Sequence, residues 1–95
     1  MFIVTLTYVV DLAVIDASIR EHGAWLDQQY DDGVFIASGR QEPRTGGVIL
    51  AANTTLPDLE DRLAGDPFSR RGLAEYSITQ FTPSRTANGF EALLS

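Results

Sequence analysis

The 95-residue sequence predicts an α+β fold, a ferredoxin-like chain of order β-α-β-β-α-β with a four-stranded antiparallel sheet and two helices on one face. Three observations carry this expectation. Runs rich in β-branched and aromatic residues alternate with two stretches of helical periodicity. Glycine- and proline-bearing turns separate them. The strand segments are almost free of charge on both faces, with Glu75 the main exception. Two helices shield one side of such a sheet, and an apolar second face of that size is unusual on a monomer. A sheet from a second copy, packed face to face, covers it. The expected assembly is a homodimer.

The first strand runs from Phe2 to Val10. Its even positions, Phe2, Val4, Leu6 and Tyr8, are apolar, and its odd set is mixed but uncharged. Asp11 or Asp16 can cap the helix that follows, and Gly33 ends it as a C′ glycine. With Ile15 set to zero on a helical wheel, Ile19, His22, Leu26 and Tyr30 fall at about +40°, −20°, +20° and +60°. Arg20, Glu21 and Asp27 lie more than ~100° away, on the solvent side. Val34 to Gly39 is the second strand. Arg40 to Gly46, with Pro43 and the Gly46-Gly47 pair, is the hairpin loop, and Val48 to Ala52 is the third strand. Thr55, with Asp58 three residues on, caps a second helix whose stripe is Leu56, Leu59 and Leu63 and which ends at Gly65. The loop from Asp66 to Gly72 leads to the last strand, Ala74 to Phe81. A tail, residues 83–95, carries a short amphipathic piece (Phe90, Leu93, Leu94) that packs outside the domain or on a partner. The chain reads as one domain with its core in about residues 1–82.

Composition excludes several functions. With 44% hydrophobic and 21% charged residues, the chain is an ordinary globular domain. It has no cysteine, which removes disulfides, thiolate nucleophiles and cysteine metal sites. All seven basic residues are arginine, so no lysine Schiff base is available. A net charge of −6 without a basic stripe argues against nucleic acid. No apolar run is long enough to span a membrane, and the N-terminus lacks a basic n-region. The expectation is a cytoplasmic protein without membrane or nucleic-acid partners. One histidine and scattered carboxylates make a poor ligand set, so no metal is expected.

His22, the one histidine, falls on the apolar side of its helix. It is either a core imidazole satisfied by a hydrogen bond or a buried acid/base group that needs a partner. Asp66-Pro67-Phe68 offers a carboxylate, which either caps a turn or orients the imidazole. Spacing does not decide between these. Ser38, placed by alternation on one strand face with Val34 and Ile36, bonds nearby backbone or a ligand beside His22. Tyr8 packs in the core or lines the same pocket. Arg20 and Arg44 read as solvated charges. A Ser-His-Asp hydrolase is rejected because no Gly-x-Ser-x-Gly elbow is present.

Taken in order, several short pieces resemble the YCII (YciI-like) family of small dimeric α+β barrel proteins. They are His22-Gly23-Ala24-Trp25-Leu26 through Asp32-Gly33, Ser38-Gly39-Arg40, Gly46-Gly47, and Asp66-Pro67-Phe68 with Gly72 following. The resemblance implies a His22–Asp66 active-site dyad and a small organic substrate handled without a cofactor. Related members are associated with elimination chemistry on chlorinated aromatic diols. The chain departs from the family pattern at two places: Ile19 stands where many members have arginine, and Arg40 where many have proline. Two functions remain open. One is a cofactor-independent acid/base enzyme of isomerase, lyase or dehydrochlorinase type. The other is a non-catalytic dimeric module that binds a small ligand or scaffolds a partner.

Overall fold

In a computed structural model, residues 1–94 are described. The elements are β1 (Phe2–Tyr8), α1 (Leu12–Asp31), β2 (Phe35–Arg40), β3 (Gly46–Ala51), α2 (Leu56–Ala64), α3 (Pro67–Arg70) and β4 (Ala74–Gln80), followed by a 3-10 turn at Glu91–Leu94. The strands form one antiparallel sheet in the order β2-β3-β1-β4. This is the predicted α+β architecture, with one addition. The loop after α2 contains the four-residue helix α3, begun by Asp66 and Pro67. Among the described residues, no helix is long and apolar enough to cross a membrane.

One face of the sheet carries the core. Phe2, Val4 and Leu6 from β1 and Ile49 and Ala51 from β3 are buried with Ile15, Leu59, Leu63 and Phe68 from the helices. The opposite face, with Ile3 paired to Leu50 and Leu50 to Ala37, bears no helix among the described residues and stays partly exposed. Thr55 caps α2 as expected, its side chain accepting from Asp58 N–H at 3.2 Å. Asp11 occupies the N-cap of α1 but makes no side-chain cap bond. Gly33 follows α1 with φ of +74°, the left-handed position that glycine adopts without strain.

The buried stripe of α1 is rotated from the apolar one. Ile15, Ser18 and Gln29 are buried and His22 and Trp25 half-buried, whereas Ile19 and Tyr30 are 40% and 38% exposed. The cause lies in partners from other elements. Arg71 donates to Ser18 Oγ at 2.7 Å and Arg62 to Gln29 Oε1 at 2.8 Å, so two polar side chains are satisfied against α3 and α2.

The hairpin differs from expectation in two ways. The Gly46-Gly47 pair belongs to β3, opposite Thr7 and Leu6. A Cβ on Gly46 would lie 1.7 Å from the Leu6 carbonyl oxygen, so this close pairing requires glycine. In β2 the register shifts between Phe35 and Ala37. Ile36 is therefore the extra residue of a bulge, and Ser38, opposite Ile49, faces the helices together with Phe35 and not with Ile36. In the tail, Phe90 and Leu94 remain exposed.

Candidate active site

The site is built where α1, α3 and β4 meet under the sheet. Asp66 is fully buried, and the Asp-Pro step that starts α3 fixes its direction. Its Oδ1 accepts from the Phe68 backbone N–H at 3.1 Å, the ordinary N-cap bond. The same oxygen accepts from His22 Nδ1–H at 2.8 Å, and the Tyr76 hydroxyl donates to Oδ2. Thus the cap reading and the His22-orienting reading of Asp66 describe one carboxylate making both contacts. Three donors compensate a charge that burial would otherwise penalise heavily.

That arrangement fixes the imidazole's proton. An ionised carboxylate only accepts, so Nδ1 carries the hydrogen and the neutral ring's lone pair lies on Nε2. Nε2 makes no hydrogen bond among the described residues. The ring is clamped flat on Phe68, centroids 4.0 Å apart and planes 1° from parallel, with Trp25 at 5.7 Å on a 31° tilt. Trp25 is itself held by its indole N–H donating to the Arg62 carbonyl at 3.1 Å. Every neighbour that orients His22 is anchored in turn.

His22 lines a half-open cavity of about 150 Å³ between α1 and the β1–β3–β2 part of the sheet. Leu6, Ile49, Leu26 and the Phe68 ring supply its apolar walls. Tyr8 is there too, half-buried and edge-on to Phe68 at 6.0 Å. Ser38 reaches the cavity because the Ile36 bulge turns it inward, and its hydroxyl pairs with Tyr30 at 2.7 Å. All four candidates, His22, Asp66, Ser38 and Tyr8, thus converge on one region.

Sequence reasoning misplaced one residue here and missed another. Arg44 is not a solvated charge: it lines the cavity and donates from Nη2 to Asp16 Oδ1 at 2.5 Å. That hydrogen bond holds the Asp16 carboxyl below its usual range. Arg20 does remain exposed, away from the site. Tyr76 is the missed residue. Burial, and then its bond to Asp66, push its phenol far above the usual tyrosine value, so it stays a donor. The available signal was a tyrosine on the inward alternation of β4 with Ile78, whose hydroxyl would need a buried partner.

The sequence matches the model of the YCII-related domain over residues 1–82. The chain belongs to the YCII-related family. A solved structure with the same fold is 5-chloro-2-hydroxyhydroquinone dehydrochlorinase from Burkholderia phenoliruptrix AC1100, in complex with 2,5-dihydroxybenzoquinone. It superposes on this YCII-related chain with a TM-score of 0.70 at 15% identity, covering 85% of this chain and 93% of the dehydrochlorinase. No curated protein matches the sequence significantly.

Proposed function

We propose that this protein is a small acid/base enzyme of lyase, isomerase or dehydrochlorinase type, with His22 as the proton-transfer group and Asp66 as its orienting partner. The supporting observation is the asymmetry of the imidazole. Nδ1–H is fixed on a carboxylate held by two further donors, while Nε2 has no partner among the described residues and the ring borders a cavity. A purely structural histidine would have both nitrogens satisfied, which counts against the binding-module alternative.

Nε2 takes a proton from a carbon or hydroxyl of the substrate. Asp66 stabilises the imidazolium that forms, and the proton is returned to another atom or to a departing group. A cavity of about 150 Å³ with apolar walls suits a single six-membered ring. The dehydrochlorinase of like fold makes elimination from a chlorinated ring the first chemistry to test. No step here calls for a cofactor. The functional unit we propose is a homodimer whose helix-free sheet faces pack together.

The test is chloride release from chlorinated hydroxyhydroquinones, with deuterium exchange into ring ketones and acids as a second readout. His22→Gln and Asp66→Asn should each lower the rate by about 10²–10⁴-fold. In Asp66→Asn, nitrogen-15 spectra should show the neutral His22 proton redistributed toward Nε2. Full activity in His22→Gln overturns the assignment.

A further inference from the structure

The cavity beside His22 holds more positive charge than proton transfer uses. In a chain of net charge −6, two arginines, Arg40 and Arg44, line it. Both act on one carboxylate: Arg44 bonds Asp16 directly, and Arg40 is near enough to Asp16 to act on it electrostatically. Two guanidinium charges against one carboxylate leave one positive charge at the mouth. The Arg40 guanidinium makes no hydrogen bond among the described residues. Arg44 Nε is more telling, since it is buried and has no acceptor among them. A buried donor is rarely left unpaired in a native fold, and a bound water, ion or ligand group would complete it.

The geometry of the unused group selects the ligand. A guanidinium edge offers two parallel N–H donors that match a carboxylate's two oxygens. Asp16 occupies Nη2 of Arg44 but is itself 56% exposed in its side chain, so it can yield to a bound anion. Tyr8 lines the same cavity and brings a hydroxyl to it. Leu6, Leu26, Ile49 and Phe68 supply apolar wall, and the volume is that of one ring.

We propose that the cavity binds a single-ring carboxylic acid in its ionised form, the carboxylate on Arg44 and Arg40 and the ring against Phe68, Leu26 and Ile49. This names the substrate class for the acid/base site, and the claim that the bound acid reacts rests on that reading. The binding claim stands without it.

Benzoate and benzamide, alike in shape and different in charge, are the probes. Calorimetry and methyl shifts of Leu26 and Ile49 read the binding. Benzoate should bind the wild-type protein at least about tenfold more tightly than benzamide, the value of one charge-assisted contact. Arg44→Gln and Arg40→Gln should each erode that preference. Asp16→Asn, at an exposed position, should strengthen benzoate binding by removing the competing carboxylate. Equal binding of the two probes, or no gain in Asp16→Asn, overturns the proposal. His22→Gln should keep the benzoate preference. If the wild type shows that preference yet transfers no proton to or from any ring acid or chlorinated diol, the acid/base reading fails and the carboxylate site stands. Proton transfer without charge preference keeps the acid/base reading and removes the carboxylate site.

Discussion

At the scale of single residues, the site depends on one carboxylate with three donors. Replacing Asp66 by alanine would strand the His22 Nδ1–H, the Phe68 N–H and the Tyr76 hydroxyl together. Tyr76 can be tested more gently. Its phenol ionises in the unfolded chain near 10.0, while in the folded chain burial and Asp66 keep it protonated well above that. A raised folded value stabilises the fold below the unfolded one and is lost as pH rises. Above about pH 10, wild-type stability should therefore fall by up to about 1.4 kcal/mol per pH unit on account of this group. Tyr76→Phe should remove that increment from the alkaline slope in urea titrations between about pH 9.5 and about pH 11.5. An unchanged slope would mean that Tyr76 ionises as freely folded as unfolded. Of this constellation, His22 and Asp66 were legible as residue types in a suggestive order. Their contact was not, because 44 positions separate them and no local periodicity links an α1 face to an α3 cap.

At the scale of elements, periodicity located every strand and both long helices but misread how some faces are used. The α1 wheel favours Ile19 and Tyr30 because apolarity is all it counts. Ser18 and Gln29 go inside because Arg71, which caps the end of α3, and Arg62 of α2 meet them there. Alternation likewise fails across β2, where one extra residue at Ile36 decides that Ser38 and Arg40 face the cavity. Glycines give a clean contrast. Gly46→Ala would drive a Cβ into the Leu6 carbonyl and should cost about 3 kcal/mol or more, at the upper end of overpacking. Gly23→Ala, inside α1 with open space around the new methyl, should stabilise by about 0.5–1 kcal/mol. Denaturant melts of the two variants should move in opposite directions. A Gly46→Ala variant as stable as the wild type would contradict the β1–β3 pairing described for Gly46.

At the scale of the whole molecule, the sheet divides the described residues into a helix-covered side that holds the candidate site and a side without a helix. The proposed homodimer should show a mass twice that of the 10.4 kDa chain by light scattering. Leu50→Arg, placed among Ile3 and Ala37 on the bare side, should yield a folded monomer. A dimer that survives this change uses another surface. The charge distribution has a kinetic consequence for the ring carboxylate proposed above. An acidic body whose longest extent is 39 Å repels an approaching anion at a distance, while the arginine mouth attracts it only at close range. Salt shortens the reach of charge from about 30 Å at 0.01 M to about 8 Å at 0.15 M. Capture should therefore become faster as salt is added, because the distant repulsion is screened first, and release should become faster too. Such an anion would meet this protein most readily in the ionic strength of a cell and least readily in dilute buffer.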